Sequence, residues 1–353
     1  MSPRYERRQR GGGGALLLLI AAAALVVAVL AIFTDVFSGK KAPDKDTDSP
    51  AVTQPADGEP DGTGDADNTA KDPEGDQKGG QSGNGDGNTD KSTVTTTKPA
   101  ASNVITTDAT PYQSGGVYIV GNAGYEMYNY VGSLAEKYQS TVNAVADSLS
   151  GVSNVYAMAI PLSSSITLPD SLLSDIPGSD QAQAEKDILA GMGQNIKTVP
   201  LHDALNAHRT EYIYFRTDHH WTALGAYYAY TQYAKAAGLT PHMLDQFEQV
   251  EFPNFLGTYY SVSGITSLGA NPDTVIAYKP MGTNKMKMTM ADGTTYDWFV
   301  VNDVSGYGSS MKYGAFAGGD QPYSVVENPE ITDGSACLVI KDSYGNALIP
   351  YLV

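Results

Sequence analysis

Cysteine is almost missing from the chain, which has 353 residues and a single thiol at Cys337. One thiol excludes an intramolecular disulfide framework, a cysteine-based zinc site and an iron–sulfur cluster. Basic side chains are also few. The chain has 22 lysines and arginines and 39 aspartates and glutamates, so its net charge is −17. Residues 101–353 alone carry eleven bases and twenty-four acids, a net charge of −13. This balance argues against a nucleic-acid partner, which requires a basic face on the protein.

Charge is absent from residues 15–33, a run of nineteen apolar side chains. At about 1.5 Å per residue, a helix of this length matches a bilayer core. Residues 1–14 carry four arginines and one glutamate, so the positive-inside rule predicts a basic tail that stays in the cytoplasm. We therefore predict a single-pass signal anchor in the cell membrane, with the carboxyl-terminal domain outside the cell. A cleaved signal peptide is the alternative.

Large apolar side chains are missing from the stretch that follows. Residues 41–100 contain no aromatic residue and no leucine, isoleucine or methionine, whereas they hold thirteen acids and six lysines. Such a composition does not offset the entropy cost of folding. We predict that residues 34–105 form a disordered acidic linker and that residues 106–353 form the folded domain. Only ten residues follow Ser343, and we expect a domain that is truncated at its carboxyl end.

Apolar runs and helical patterns alternate along residues 106–353. The predicted strands are residues 116–120, 155–160, 198–201, 212–215 and 336–341, and the predicted helices are residues 131–149, 179–196 and 222–237. Strands separated by helices predict an α/β fold with a doubly wound, mostly parallel sheet. Between Pro253 and Pro329, tyrosine, glycine, serine and threonine are frequent, and Asp292-Gly293 is a hairpin signal. We interpret this stretch as a β-rich insertion.

A short polar motif runs from Thr217 to Trp221, between a predicted strand and a predicted helix. Residues two apart in an extended segment point the same way, so Asp218 and His220 are expected to share a face, with His219 on the other. A carboxylate beside an imidazole fixes its tautomer and stabilises its protonated form, as a general base requires. A purely structural hydrogen bond is the alternative. Trp221 either lines the site at Asp218 and His220 or packs beneath the predicted helix 222–237.

A serine lies at a second strand-to-helix turn, 123 residues after His220. Ser343 follows the predicted strand 336–341 and precedes a predicted helix. At such a turn a serine hydroxyl is exposed and lies near helix N–H groups that stabilise an oxyanion. The alternative is that Asp342 and Ser343 only cap the helix. The two motifs act together only if the fold brings them into contact.

Histidine is scarce as well, and the five residues are His202, His208, His219, His220 and His242. Asp218 and His220, together with His202 or Asp203, offer the ligand types of a metal site. No helical His-x-x-x-His or similar spacing accompanies them, so we predict no metal and keep a metal-dependent hydrolase as the weaker alternative.

The segment TDHHWTALGAYYAY at Thr217–Tyr230 resembles the signature of the DHHW family of bacterial exported proteins. Further similarity lies in YIVGNAGYE around Gly121, in FLGTYYSVSG around Gly257 and in KDSYGNALIP around Ser343. The DHHW family in turn resembles SGNH-type hydrolases and, more closely, the alginate O-acetyltransferases. Those enzymes carry Asp-x-His-Trp upstream and a serine at a strand-to-helix turn downstream, whereas ordinary SGNH esterases carry the serine first.

This resemblance implies an SGNH-like (flavodoxin-like) fold and acyl-ester chemistry on an extracytoplasmic glycan. It implies that Asp218 orients His220, that His220 is the base and that Ser343 is the nucleophile, with no cofactor. The expected function is a membrane-anchored acyl esterase or O-acetyltransferase. Its expected partner is a cell-surface polysaccharide or the acyl donor of that polysaccharide.

The oxyanion hole of SGNH enzymes consists of a glycine and an asparagine. Gly121 and Asn122 at a strand end are one candidate pair in this chain, and the loop Gly318-Gly319-Asp320 is another. Trp221 is a further candidate for the substrate surface. The alternative function is a non-catalytic glycan-binding or envelope-assembly protein on the same fold, because the chain's 23 tyrosines offer surfaces on which sugars stack.

Overall fold

The computed structural model of the protein describes residues 110–353. The predicted signal anchor at residues 15–33 and the predicted linker at residues 34–105 lie outside the described residues. Within residues 110–353, no helix combines the length and the apolar character that a membrane span requires.

The described chain is a mixed α/β domain. Its α-helices are α1 (Gly132–Ser148), α2 (Ser163–Ile166), α3 (Gln181–Ala190), α4 (His202–Asn206), α5 (Ala223–Ala237), α6 (Thr258–Ser263), α7 (Thr266–Gly269) and α8 (Ile349–Leu352). Its strands are β1 (Tyr112–Ser114), β2 (Val117–Val120), β3 (Ala123–Tyr125), β4 (Val155–Met158), β5 (Ile196–Val199), β6 (Glu248–Phe255), β7 (Asp273–Lys279), β8 (Lys285–Thr289), β9 (Thr295–Phe299) and β10 (Tyr323–Val325). Short 3₁₀ helices lie at Asp170–Leu172, Leu244–Gln246, Ser309–Ala315 and Ser343–Ala347.

The strands form small, mostly antiparallel sheets. β1, β2 and β3 pair antiparallel in sequence order, β8 pairs antiparallel with both β9 and β10, and β6 pairs antiparallel with β7. β4 and β5 pair parallel, from Val155 opposite Ile196 to Met158 opposite Val199. The prediction of a mostly parallel sheet is therefore wrong for residues 110–353, where β4–β5 is the one parallel pair.

Two of the predicted strands do not join a ladder. The run at 212–215 folds back at once, and Tyr214 forms an isolated antiparallel bridge with Trp221. The run at 336–341 is irregular, and its Leu338 and Ile340 are 50% and 65% exposed. An apolar run forms a strand only where a neighbouring strand accepts its backbone hydrogen bonds. Pattern alone did not reveal that these two runs lack such a neighbour.

The predicted helix at 131–149 is present as α1, but its buried face differs from the expected one. Helical spacing predicts an apolar stripe of Leu134, Tyr138, Val142 and Val145 on this helix. Leu134 and Tyr138 are exposed, and Ala135 and Ala146 are the buried residues of the helix. The amide of Gln139 donates to the carbonyls of Asp187 and Ile188, at the end of α3. The Gln139 side chain therefore joins α1 to α3, whereas Ala146, with the partly buried Val142, packs against Ala157 and Ile196 in β4 and β5.

Glycines and capping residues set several boundaries. The predicted helix at 179–196 ends early at Ala190 because Gly191 caps it, and Ile196 already begins β5. The prediction of α5 is confirmed: Thr222 caps its amino end, and Gly238 ends it with a φ of 74°. The predicted hairpin at Asp292-Gly293 is confirmed as the turn between β8 and β9. Its glycine has a φ of 85°, a conformation that suits glycine.

The main core lies between α5 and the turn that precedes it. Tyr214, Phe215 and Trp221 are at most 2% exposed there. A Cβ on Gly225 would lie 2.4 Å from the carbonyl oxygen of Ile213, so only glycine lets α5 approach the turn so closely. This packing holds the turn at residues 216–220 rigidly at one end of the core.

Candidate active site

Asp218 and His220 lie side by side in a tight turn. Asp218 Oδ1 accepts the backbone N–H of His220 at 3.0 Å, which is an Asx turn. The same oxygen lies 2.6 Å from His220 Nδ1. The turn, and not the alternation of a strand, therefore puts the carboxylate beside the imidazole. The expectation that His219 points to the other face is wrong for the same reason, since its ring centroid lies 3.8 Å from that of His220.

The second oxygen of the Asp218 carboxylate binds the start of α6. Asp218 Oδ2 accepts the backbone N–H of Thr258 at 2.9 Å and the Thr258 hydroxyl at 3.1 Å. His219 Nδ1 lies 2.7 Å from that same hydroxyl oxygen. The side chain of Thr258 therefore links the carboxylate to His219 and holds both in place.

Asp218 is ionised at neutral pH. Burial alone would raise its pKa, but the hydrogen bond from His220 and the positive charges of His220 and His219 outweigh burial and lower the pKa to about 2. Burial lowers the pKa of His219, against the opposing charge of Asp218. A fixed negative charge thus faces His220 Nδ1 and orients the imidazole.

Gly257 permits the contact between Asp218 and α6. A Cβ on Gly257 would lie 2.2 Å from the Cβ of Asp218 and 2.3 Å from its Oδ2. Any larger residue would push the carboxylate out of its position. Sequence reasoning gave neither Gly257 nor Thr258 a role, although both lie in the FLGTYYSVSG segment that carries part of the family resemblance.

A second carboxylate, that of the fully buried Asp273, holds the turn at residues 216–220 in place. Asp273 Oδ2 accepts the backbone N–H and the hydroxyl of Thr217, both at 2.7 Å. Its Oδ1 accepts the Arg216 Nε–H at 3.2 Å and the Tyr212 hydroxyl. Burial of a charge is costly unless it is paired. Here the Arg216 side chain and four further donors pair it, among them the Arg216 backbone N–H at 3.1 Å. Sequence reasoning missed Asp273, because an aspartate at the start of a strand carries no distinctive local signal.

Ser343 lies against the far side of His220. Its Oγ is 2.7 Å from His220 Nε2, although 123 residues separate the two in the chain. Ser343 begins a 3₁₀ helix and is half-buried, and Asp342 Oδ1 accepts the Tyr344 N–H at 3.0 Å as an amino-terminal cap. Asp342 O accepts the Gly345 N–H at 3.1 Å. The two N–H groups after Ser343 are therefore already engaged, unlike the free donors expected for an oxyanion.

The remaining predicted residues have other partners. Trp221 is fully buried beneath the site, where its Nε1–H donates to the Tyr344 carbonyl at 2.8 Å. Gly121 and Asn122 form the turn between β2 and β3, where the Gly121 carbonyl accepts the hydroxyl of Ser267 at 2.8 Å. Among residues 110–353, no hydrogen bond joins this turn to Asp218, His220 or Ser343.

The loop at 318–320 lies beside the serine turn and contacts it through a carboxylate. Asp320 Oδ1 accepts the Asn346 amide at 3.0 Å and lies 3.3 Å from Lys341 Nζ. These two partners flank Ser343 in the sequence. The loop therefore contacts the serine turn through the Asp320 side chain. A carboxylate is an acceptor, so these contacts give the loop no hydrogen-bond donor for an oxyanion.

The ligand types of a metal site meet at Asp218, His219 and His220, whose ligand atoms lie within 4.8 Å of one another. The carboxylate of Asp218, however, already accepts four hydrogen bonds, two on each oxygen. His202, the other expected ligand, lies 2.7 Å from the hydroxyl of Ser165. The donor set therefore does not suit a metal ion, because no oxygen of Asp218 is free to coordinate one.

The solved structures that resemble this chain in fold include a DHHW family protein and PatB1. A DHHW family protein from Eubacterium siraeum has 26% identity and a TM-score of 0.61, covering 69% of this chain and 81% of its own. Bacillus cereus PatB1 has 18% identity and a TM-score of 0.53, covering 69% and 83%. PatB1 with a sulfonyl adduct has 19% identity and a TM-score of 0.53, covering 67% and 80%. The likeness to PatB1 shows a shared mixed α/β fold.

Among the curated proteins, none matches this chain in sequence. The family model described as "DHHW protein" matches residues 87–353, which include every residue of the site described above. The chain therefore belongs to the DHHW protein family.

Proposed function

We propose that the chain is a serine-dependent acyl esterase or O-acetyltransferase that acts on a cell-surface glycan. The observation that carries this proposal is the continuous chain of contacts from Asp218 through His220 to Ser343, with atom distances of 2.6 and 2.7 Å. A nucleophile, a base in hydrogen-bond reach and a third group that orients the base form the arrangement of covalent acyl transfer.

Each group has one role in the proposed reaction. His220 Nε2 accepts the Ser343 hydroxyl proton while Oγ attacks the acyl carbonyl carbon, and Asp218 stabilises the imidazolium that forms. The imidazolium then gives its proton to the departing alkoxide, which leaves an acyl group on Ser343. In the second half-reaction, His220 takes a proton from water or a sugar hydroxyl, whose oxygen attacks the acyl carbon. The bond between Ser343 Oγ and the acyl group then breaks, and His220 returns the proton to Oγ. These steps need no cofactor.

The comparison with PatB1 supports the choice of a covalent test. PatB1 shares the fold, and one of its solved structures carries a sulfonyl adduct. Sulfonyl and phosphonyl electrophiles react with activated hydroxyl groups, so the same class of reagent reports on Ser343 here. The full-length chain is incubated with a fluorophosphonate and, separately, with 4-nitrophenyl acetate.

We expect labelling at Ser343 and release of 4-nitrophenol. Ser343→Ala and His220→Ala each lower both rates by about 10³-fold or more. Oligosaccharide acceptors of the cell surface, added with the acetyl ester, then separate transfer from hydrolysis by the appearance of acetylated sugar. A folded full-length chain that is neither labelled nor active would contradict the proposal and favour a glycan-binding or envelope-assembly protein.

We further propose that the protein is anchored in the cell membrane, with its amino terminus in the cytoplasm and the DHHW domain outside. The support is the uncharged run at residues 15–33 and the arginines before it. Protease added to intact cells should remove the domain and leave a membrane-bound fragment. Recovery of only shortened, soluble protein from the medium would show that the segment is cleaved.

A further inference from the structure

One aromatic side chain outside the sequence motifs contacts both ends of the His220–Ser343 pair. Tyr313 lies in the 3₁₀ helix Ser309–Ala315. Its ring is nearly parallel to the His220 imidazole, with centroids 3.9 Å apart and an angle of 10° between the planes. Its hydroxyl donates to the backbone carbonyl of Ser343 at 2.9 Å.

The surroundings of Tyr313 hold its ring in one orientation. Phe316 packs edge-on against it at a centroid distance of 5.2 Å, and Phe215 does so at 6.2 Å. Burial, followed by the negative charge of Asp218, raises the pKa of Tyr313 well above its ordinary value. The hydroxyl therefore stays protonated at neutral pH and remains a donor to the Ser343 carbonyl.

We propose that Tyr313 is a positioning residue for the acyl-transfer site. Its ring limits rotation of the His220 imidazole, which keeps Nε2 directed at the serine hydroxyl. Its hydroxyl fixes the Ser343 carbonyl, and Asp342 fixes the following N–H, so the peptide plane after Ser343 is held at both ends. A displacement of about 1 Å at a reacting group lowers a rate by about a hundredfold, so this double restraint acts on the chemical step.

The inference rests on the proposed function, and two variants separate its parts. Tyr313→Phe keeps the stacked ring and removes only the hydroxyl donor. Tyr313→Leu removes both. Tyr323→Phe is the matched control, because Tyr323 is 46% exposed on β10 and its hydroxyl makes no hydrogen bond within residues 110–353. The full chain is treated with the fluorophosphonate, and the saturation constant KI and the rate constant kinact are measured separately.

We expect KI to stay within about twofold of wild type in every variant, because a positioning residue acts on the chemical step and not on binding of the reagent. Loss of one hydrogen bond lowers kinact about tenfold in Tyr313→Phe. Loss of the ring lowers kinact about a hundredfold in Tyr313→Leu, and Tyr323→Phe leaves it unchanged. A wild-type kinact in both Tyr313 variants, or an effect on KI alone, would overturn the inference.

A second measurement does not depend on activity. The ring protons of His220 should show an upfield ring-current shift in the NMR spectrum, retained in Tyr313→Phe and lost in Tyr313→Leu. If the wild type is not labelled, the proposed function fails, whereas this shift still reports whether Tyr313 fixes the imidazole. Identical His220 signals in wild type and in a folded Tyr313→Leu variant would refute the positioning role.

Discussion

Trp221 donates its indole N–H to the carbonyl of Tyr344 at 2.8 Å, and each of these residues immediately follows a member of the proposed His220–Ser343 pair. One buried hydrogen bond therefore joins the two segments at the position next to the reacting groups. The indole also packs edge-on against the Tyr344 ring at 5.8 Å. The short distance from His220 to Ser343 is thus supported by the residues that follow them.

The first prediction concerns this hydrogen bond. Trp221→Phe keeps an aromatic side chain but leaves the Tyr344 carbonyl buried without its donor, so we expect a loss of about 1–3 kcal/mol in the free energy of unfolding and a clear fall in the labelling rate of Ser343. The matched control is Trp298→Phe, because the indole N–H of Trp298 has no hydrogen-bond partner within residues 110–353. Urea unfolding gives the free energy of unfolding of each variant, and labelling kinetics give the rate at Ser343. Equal effects of both substitutions would show that the hydrogen bond is unimportant.

The sequence was most informative where local chemistry decides the structure. The helix predicted at 222–237 agrees with α5, which Thr222 and Gly238 cap, and Asp292-Gly293 marked a hairpin. Capping and turn preferences depend on a few adjacent residues. The apolar run at 336–341 did not form a strand, since strand pairing depends on a distant segment that the run itself does not specify.

The candidate site was recognised only in part for the same reason. Asp218 and His220 lie within one short motif, and an aspartate two residues before a histidine was sufficient to pair them. Thr258 and Asp273 contact that motif from 40 and 56 residues away, and no local pattern distinguishes them from ordinary polar residues. The local backbone was also predicted wrongly. An extended segment was expected to put Asp218 and His220 on one face, whereas an Asx turn brings them together.

The second prediction concerns the close approach of α6. Gly257→Ala places a methyl group within 2.3 Å of the Asp218 carboxylate, so it displaces the group that orients His220. We expect a loss of about 1–3 kcal/mol in unfolding free energy and a labelling rate that falls by much more than the control. Gly306→Ala is that control, because nothing lies within 4 Å of a Cβ at Gly306. Wild-type labelling in Gly257→Ala would show that the contact with Asp218 is not needed.

The third prediction uses a second serine–histidine pair in the fold. Ser165 Oγ lies 2.7 Å from His202 Nε2, the same distance as in the proposed site. The carboxylate beside this second pair differs from Asp218, because Asp203 is 3.5 Å from His202 Nδ1 and its side chain is 97% exposed. Water therefore weakens its interaction with His202, and it does not hold the imidazole in one tautomer. We expect mass spectrometry to find the phosphonate on Ser343 and none on Ser165. Labelling of both serines would show that contact with a histidine suffices, without a buried aspartate.

The fourth prediction concerns acid stability. Folding lowers the pKa of Asp218 from its ordinary 3.8 to about 2, through the hydrogen bond and charge of His220 that outweigh burial. A carboxyl group with a lowered pKa stabilises the fold when ionised. This stabilisation is present above the unfolded value of 3.8 and is lost as the pH falls through about 2. Its size is about 2 kcal/mol at neutral pH.

Asp218→Asn removes this titration. Between pH 5 and 2, the free energy of unfolding of the variant should therefore fall by about 2 kcal/mol less than that of wild type. Urea unfolding followed by tyrosine fluorescence at a series of pH values gives the two curves, and their difference cancels the titration of the other carboxyl groups. Asp297→Asn, at an exposed position on β9, is the control whose curve should run parallel to wild type. Parallel curves for wild type and Asp218→Asn would mean that the contact with His220 does not favour the ionised carboxylate, and Asp218 would then lack the fixed charge that the proposed reaction assigns to it.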